Sequence, residues 1–101
     1  MSDVTPVTQY DAEKLDDMAE LLRAVAHPLR IAIIDLLQDG QQLTVTEIQK
    51  RLKVEQAVAS HHLIILKNKD VLRAKRSGKT ILYYLRNEHI SRLIFFAQQA
   101  V

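Results

Sequence analysis

The sequence predicts a mainly α-helical α+β fold, in which one small β-hairpin accompanies five helices. Apolar residues recur at helical spacing in five separate segments, whereas strand-like runs flank only a single turn, around Gly78. The 101 residues contain only two Gly and two Pro, which disfavours a loop-rich or all-β architecture. A chain of this length, 48% apolar, is expected to form one domain, which we place at residues 11–101.

The composition excludes several classes of protein. The chain contains no cysteine, so disulfide scaffolds, cysteine-based zinc sites and thiolate catalysis are excluded. No apolar run has the length of a membrane span, and no secretory signal is evident, so we expect a cytoplasmic protein without membrane contact. Paired carboxylates, a nucleophile–base set and a glycine-rich phosphate loop are also missing. We therefore predict no catalytic residues, no cofactor and no enzymatic activity.

The first third of the chain is predicted to contain a tail and two helices. Residues 1–10 show no periodicity, so we expect a flexible tail. A helix is predicted over residues 11–26. Its apolar stripe includes Leu15, Met18 and Leu22. Pro28 ends this helix and fits the first position of the next, predicted over residues 29–38. That second helix is apolar nearly all round, which indicates a central buried helix, and Gly40 is expected to stop it.

Two short helices joined by a tight turn come next, which is the arrangement of a helix-turn-helix. Thr44 and Glu47 form a predicted capping box at the start of the first helix. The second helix is predicted over residues 55–67. Its inward stripe comprises Ala59, His62, Leu63 and Leu66, with His62 expected to be a packed, hydrogen-bonded histidine. Its outward side chains are small or form hydrogen bonds, and can approach a base edge or a phosphate. They include Gln56, Ala57, Ser60, His61 and Lys67.

A basic hairpin directly follows this helix pair. We predict it over residues 72–85, with a turn over residues 76–79 in which Gly78 can adopt a positive φ. Its cations are Arg73, Lys75, Arg76 and Lys79. Lys and Arg also protect ordinary exposed strands, and for the hairpin alone that alternative stays open. Because the hairpin follows a helix-turn-helix, we favour a wing that straddles the DNA backbone. The helix pair and the hairpin together then form a winged helix-turn-helix, and the helix over residues 55–67 is its recognition helix.

Charge is distributed unevenly along the chain, although the net charge is only +2. Residues 1–42 carry eight acidic side chains against three basic ones, whereas residues 43–86 carry ten basic side chains against three acidic ones. A solvated basic face would also fit this distribution. Positive charge concentrated around the recognition helix and wing is nevertheless what phosphate binding requires.

The last helix is predicted to pair with a second copy of the chain. It falls within residues 87–101. Its apolar stripe includes Ile90, Leu93, Ile94 and Ala97. The core of so small a protein cannot cover this stripe completely. Pairing with the helix over residues 11–26 across a two-fold axis would bury both stripes. Such a homodimer has the symmetry needed to bind a palindromic operator in two successive major grooves.

Five segments carry a resemblance to a known family: residues 24–30 (AVAHPLR), 43–45 (LTV), 60–66 (SHHLIIL), 73–79 (RAKRSGK) and 83–85 (YYL). In order and spacing, they resemble the ArsR/SmtB transcriptional regulators over roughly residues 20–86. The resemblance implies a homodimeric winged-helix repressor that dimerises through its first and last helices. It also implies binding to double-stranded operator DNA, and release when a signal binds.

The signal is where the chain departs from the family. Many members sense metals through cysteines, which this chain lacks, and others through Asp and His on the last helix. Here Asn87 and His89 stand near the first half of that second pattern, but the other half falls at Ala97 and Ala100. We therefore predict no metal site, and His89 is expected to be a surface residue at a helix start. The inducer, if there is one, would be an unidentified small molecule or protein.

The predicted function is sequence-specific DNA binding, in which helix 55–67 and wing 72–85 recognise an operator palindrome. The candidate DNA-binding residues are Thr44, Thr46, Gln56, Ala57, Ser60, His61, Lys67, Arg73, Lys75, Arg76 and Lys79. Two features of the recognition helix favour an alternative. Ile64 stands where the family often has Lys, and Glu55 replaces the usual Ser cap and would repel phosphate. The alternative is a winged-helix module that binds protein and has little specific DNA affinity.

Overall fold

Seven elements form the computed structural model of the protein, which describes residues 8–101. They are α1 (Ala12–Val25), α2 (Pro28–Leu36), α3 (Val45–Leu52), α4 (Gln56–Asn68), β1 (Leu72–Ser77), β2 (Thr80–Leu85) and α5 (Glu88–Gln99). The predicted mainly α-helical fold with one hairpin is confirmed. Most of the tail predicted over residues 1–10 lies outside the described residues; residues 8–10 are exposed bends that precede α1.

Polar side chains begin α1 and α2 close to the predicted positions. The Asp11 carboxylate accepts a hydrogen bond from the backbone N–H of Lys14 at 2.8 Å, which caps α1. His27 has the same role for α2, because its Nδ1 accepts from the backbone N–H of Leu29 at 3.1 Å. Pro28 occupies the first turn of α2, where its missing N–H costs nothing.

The end of α2 differs from the prediction. The helix ends at Leu36 rather than at Gln38. The backbone N–H of Leu37 is shared between two carbonyl oxygens, a tightening that is common in a last helical turn. The chain then leaves through Asp39 and Gly40, whose φ angles of 59° and 73° are both left-handed. Gly40 therefore lies beyond the helix end instead of stopping it directly.

The helix-turn-helix has the predicted order and nearly the predicted bounds. Its capping box is confirmed: Thr44 Oγ1 accepts from the Glu47 N–H at 3.2 Å, and the Glu47 carboxylate accepts from the Thr44 N–H at 3.0 Å. Lys53, with a φ of 56°, turns the chain after α3. The recognition helix α4 spans Gln56–Asn68, so both of its ends lie one residue after the prediction. Glu55 is its N-cap residue, without a side-chain capping hydrogen bond.

The hairpin lies where it was predicted, but its turn is shorter. β1 and β2 pair antiparallel over residues 72–85, and only Gly78 and Lys79 connect them. Gly78 has a φ of 62°, and a positive φ at the first residue of a two-residue turn suits the twist of the strands. The predicted turn over residues 76–79 is wrong in its first half, because Arg76 and Ser77 pair within the strands.

A short segment before α3 fixes the wing to the helix-turn-helix. Leu43 and Tyr83 of β2 exchange two backbone hydrogen bonds, with N···O distances of 3.1 and 2.8 Å. Thr44, the capping residue of α3, follows Leu43 directly. The start of α3 and the base of the wing are therefore held together by main-chain bonds, which the sequence pattern did not indicate.

One continuous core joins the helices to the base of the hairpin. Its buried members are Ala24, Val25, Ile33, Ile34, Leu37, Leu43, Ile48, Leu63, Leu66, Val71, Leu72, Ile90 and Ile94. The prediction that α2 is central is confirmed on the side of Ile33 and Ile34, which are both fully buried, whereas Ile31 is 40% exposed. Among residues 8–101, no helix combines the length and apolarity that a membrane crossing would require.

Candidate DNA-binding surface

The recognition helix α4 has one buried face and one exposed face. The buried side chains are those predicted, Ala59, His62, Leu63 and Leu66, each 7% exposed or less. The outward candidates are Gln56, Ala57, His61 and Lys67, which are exposed, and Ser60, which is half-buried. All five lie away from the buried stripe. Ile64 lies among them and is 55% exposed, so the outward face is not purely polar.

A hydrogen-bonded cluster holds the buried side of α4 against the corner between α1 and α2. Arg30 of α2 donates from Nε to Nδ1 of His62 at 3.2 Å, and from Nη1 to the Ala24 carbonyl oxygen at 3.0 Å. The His27 ring packs on His62 with ring centroids 4.3 Å apart. The predicted packed, hydrogen-bonded role of His62 is confirmed. Its partner Arg30 was missed, because the two residues are distant in the chain and only the fold brings them together.

This cluster requires His62 to be neutral. Nδ1 accepts the hydrogen bond from Arg30, so the ring proton must lie on Nε2. Burial lowers the pKa of His62 below its ordinary value of 6.5, and the neighbouring His27 and Arg30 lower it further. At neutral pH the recognition helix is therefore seated by an uncharged imidazole beside a guanidinium.

The start of α3 presents two hydroxyl groups beside the recognition helix. Thr46 is exposed and Thr44 is half-buried in the capping box. The hydrogen bonds from Thr44 lower the pKa of the Glu47 carboxyl group, so that group is ionised at neutral pH. The Thr44 hydroxyl is thus engaged with Glu47 in the capping box, whereas the exposed Thr46 lies two residues further along the chain.

The basic residues of the wing divide between the two faces of the hairpin. Arg73 and Lys75 alternate with Arg76 along β1, so Arg76 points to the opposite face. The Arg73 guanidinium lies 3.6 Å from the Asp70 carboxylate, which partly neutralises it. Lys75, Arg76 and Lys79 are exposed and form no ion pair with any residue of the described part of the chain. Three cations on the wing are therefore available to phosphates on either side of it.

The residues predicted for a dimer interface behave differently on the two terminal helices. On α1, Met18 and Leu22 are 36% and 50% exposed, and Leu15 is half-buried. On α5, Ile90 and Ile94 are only 2% and 9% exposed, because α5 packs them against α2 and β2 within the same chain. These two isoleucines therefore have almost no surface to offer a partner.

The free apolar surface of α5 lies elsewhere on the helix. Phe95 and Phe96 are 53% and 63% exposed, their rings in edge contact at 5.4 Å. Leu93 is half-buried and Ala97 is exposed. The period of the apolar stripe could not assign the two faces, because α5 is apolar on both and only the packed core shows which face the chain itself covers.

His89 is exposed in the first turn of α5, as predicted, and Asn87 caps that helix by accepting from the N–H groups of His89 and Ile90. Within residues 8–101, no three His, Asp or Glu side chains converge at a distance suited to a metal ion.

Comparisons with known proteins agree with this architecture. Residues 27–73, which include the whole helix-turn-helix, match the family model of bacterial regulatory proteins of the arsR family. The HTH-type transcriptional repressor SmtB of Mycobacterium tuberculosis is 42% identical over 85 residues, 84% of this chain and 62% of SmtB. The transcriptional repressor PagR of Bacillus anthracis is 39% identical over 80 residues, 79% of this chain and 80% of PagR. The chain thus spans less than two thirds of the length of SmtB.

Solved structures show the same fold. The crystal structure of PagR is similar with a TM-score of 0.78 and 36% identity, covering 86% of this chain and 99% of that one. The solution structure of a homodimeric winged helix-turn-helix DNA-binding domain from Mycobacterium bovis gives a TM-score of 0.79 at 28% identity. It covers 96% of this chain and 89% of that one. The chain therefore belongs to the arsR family of bacterial regulatory proteins and has a winged helix-turn-helix fold.

Proposed function

We propose that this protein is a sequence-specific transcriptional repressor that binds a palindromic operator as a homodimer, with residues 11–101 acting as one unit. The observation that carries the proposal is the arrangement of α4. Its outward face bears exposed Gln56 and His61 opposite a buried stripe, and the wing beside it offers cations without an acidic partner among the described residues. An exposed polar helix flanked by basic groups is suited to a major groove lined by phosphates.

The roles of the candidate residues follow from their side chains. Gln56, Ser60 and His61 can form hydrogen bonds with base edges, and Gln commonly pairs with adenine. Ala57 permits a close approach of the helix backbone. The remaining candidates supply charge or hydroxyl groups for phosphates: Thr44, Thr46, Lys67, Arg73, Lys75, Arg76 and Lys79. Phosphate contacts set affinity and position, whereas base contacts set specificity.

The homodimer is supported by exposed apolar surface on the two terminal helices. Leu22 of α1 and Phe96 of α5 are at least half exposed, which is unfavourable in water unless another surface covers them. The M. bovis relative is itself a homodimeric DNA-binding domain. Two recognition helices related by a two-fold axis would enter major grooves about 34 Å apart, one helical turn of DNA.

The proposed regulator is not an enzyme and acts on DNA in the cytoplasm. Its named relatives are transcriptional regulators. Without cysteine, it cannot sense metals or oxidants through thiolates. If an inducer exists, it is an unidentified small molecule or protein.

The alternative function is a protein-interaction module that uses the winged helix fold with little specific DNA affinity. The exposed Ile64 and the acidic Glu55 at the N-terminus of α4 favour it. Against it stand the neighbouring cations, which suit a polyanion better than an apolar protein surface.

A selection and titration experiment separates the two functions. Duplexes selected from a random pool, together with DNA upstream of the coding region, would be titrated with the purified protein at about 50 and 200 mM salt. The repressor should bind one palindrome at least about 10³-fold more tightly than random duplex, with affinity falling steeply as salt rises. Weak and equal binding to every duplex at both salt concentrations would contradict the repressor and favour the interaction module.

A further inference from the structure

Ile64 occupies an unusual place on the recognition helix. It is 55% exposed and lies opposite the buried stripe, one turn after Ser60 and His61 and one turn before Lys67. Ala57, two turns earlier, completes the same outward line. Ile64 is not required for core packing, because the opposite face of α4 already packs into the core. The bulk of Ile64 therefore projects from the surface that the proposed function places in the major groove.

The chemistry of the groove limits what such a side chain can contact. Base edges in the major groove present hydrogen-bond donors and acceptors, and the single apolar group among them is the C5-methyl of thymine. An isoleucine pressed against a guanine, cytosine or adenine edge would remove water from polar atoms without replacing their hydrogen bonds. Against a thymine methyl, both partners instead lose water from apolar surface. An exposed isoleucine in the major groove would therefore favour thymine over the other bases through apolar burial alone.

A phosphate contact or a protein partner fits the surroundings of Ile64 less well. An aliphatic side chain forms neither a hydrogen bond nor an ion pair with a phosphate. Lys67 on the same helix already offers a cation that can bind one. A docking surface for a protein would normally be a contiguous apolar patch. Here Ser60, His61 and Lys67 bound Ile64 with polar side chains. Val58, the other large apolar side chain that α4 exposes, lies about a third of a turn away around the helix, so the two do not form one contiguous patch.

We propose that Ile64 recognises the 5-methyl group of a thymine, so that each operator half-site carries a thymine at the position facing it. This inference rests on the proposed function and adds a residue that determines specificity. It makes the operator preference depend on a methyl group that can be removed chemically without changing any Watson–Crick hydrogen bond.

The test replaces thymine by deoxyuridine, which lacks only that methyl group. A duplex selected by the wild-type protein would be synthesised with deoxyuridine at each thymine in turn, and affinities measured for the wild type, Ile64→Ala and Lys79→Gln. The wild type should lose roughly fourfold in affinity per contacted methyl at one position of each half-site. Ile64→Ala should bind thymine and deoxyuridine duplexes equally. Lys79→Gln should bind both more weakly while keeping the wild-type ratio between them.

The outcomes separate this inference from the function on which it rests. If the wild type binds its selected duplex tightly and no deoxyuridine replacement changes the affinity, the repressor stands and the role of Ile64 is overturned. The same follows if Ile64→Ala keeps the full thymine preference, because another residue then contacts the methyl group. If no duplex can be selected, the proposed function fails and this inference fails with it. Because Ile64 is exposed, the variants should fold, which circular dichroism and thermal melting would confirm. Ile64→Asn tests the loss of thymine preference with a second side chain.

Discussion

The guanidinium of Arg30 joins His62 of the recognition helix to the end of α1. Its Nε donates to the His62 imidazole at 3.2 Å and its Nη1 donates to the Ala24 carbonyl oxygen at 3.0 Å. Ala24 lies in the last turn of α1, where carbonyl groups lack helical partners, so the cation also suits the helix dipole. The Arg30 side chain thus joins α4 to both α1 and α2, on the side of α4 opposite the candidate DNA-binding residues.

Replacing Arg30 by Met should destabilise the protein. The variant keeps much of the aliphatic packing but leaves Nδ1 of His62 and the Ala24 carbonyl without donors, and bonds to charged groups contribute about 1.5–3 kcal/mol. The free energy of unfolding, measured in urea, should fall by about that amount. Arg23→Met is the control, since the Arg23–Glu20 pair is exposed and should be worth about 0.5 kcal/mol. If both variants lost the same free energy of unfolding, the Arg30 hydrogen bonds would contribute no more than an exposed ion pair.

The neutral state required of His62 predicts a loss of stability in mild acid. Burial holds the pKa of His62 below 6.5 in the folded protein, so the unfolded chain takes up the proton first as the pH falls. Three neighbours also lower the pKa of His62: His27 just before α2, Arg30 on α2 and His61 on α4. The stability contributed by the neutral ring is complete above pH 6.5 and declines below it, towards the lower pKa of the folded state.

Unfolding measurements between pH 5 and 7.5 would test this dependence. His62→Gln should be less stable at pH 7.5 but lose less stability than the wild type on acidification, because Gln can accept from Arg30 and does not titrate. His89→Gln, a change at an exposed histidine, should retain the wild-type slope. If His62→Gln and the wild type show the same slope, the pH dependence does not come from this ring.

How far the sequence could predict this structure depends on the range of the interactions involved. Local signals were sufficient for the capping box at Thr44, the helix start at Pro28 and the hairpin around Gly78, because each is decided within a few residues. The buried stripe of α4 followed from its helical period. Period alone could not decide which apolar face of α5 packs inward. Ile90 and Ile94, which were predicted for the interface, lie in the core of their own chain.

The residue pairs that hold the recognition helix and the wing in position could not be predicted, for a different reason. Arg30 and His62 are 32 residues apart, and Leu43 and Tyr83 meet only as an isolated bridge between two elements. Neither contact leaves a periodic trace in the sequence. The candidate DNA contacts were easier to choose, since an outward position on α4 follows directly once the inward stripe is known.

Loss of the capping hydroxyl at Thr44 should cost stability. Thr44→Ala removes the bond from the Glu47 N–H and should lower the free energy of unfolding by about 1 kcal/mol, whereas Thr44→Ser should keep most of it. Thr46→Ala, at an exposed position two residues later in the first turn of α3, should change stability by less than about 0.5 kcal/mol. A Thr44→Ala variant as stable as the wild type would show that the capping bond is replaced by water.

Because the apolar residues of α5 lie on both an exposed and a buried face, substitutions on the two faces should have different effects. Phe96→Glu, on the exposed face, should leave the protein folded but shift it towards monomer, as measured by analytical ultracentrifugation. Ile90→Ala, in the core, should instead lower the free energy of unfolding by about 2–5 kcal/mol through the cavity it leaves. A Phe96→Glu variant that sediments as the wild type does, or a wild type that is itself monomeric at micromolar concentration, would contradict the interface.

The wing cations that form no ion pair within residues 8–101 predict a specific change in the salt dependence of DNA binding. Arg76→Gln and Lys79→Gln should each weaken binding to specific and random duplexes alike, because a phosphate contact carries no sequence information. The slope of log affinity against log salt should become shallower by about one for each substitution. Lys14→Gln, which removes a cation from α1, should leave the slope unchanged. Arg73→Gln should have a smaller effect than Arg76→Gln, because Arg73 already lies 3.6 Å from Asp70. Equal slopes for the wild type and both wing variants would place the wing away from the DNA backbone.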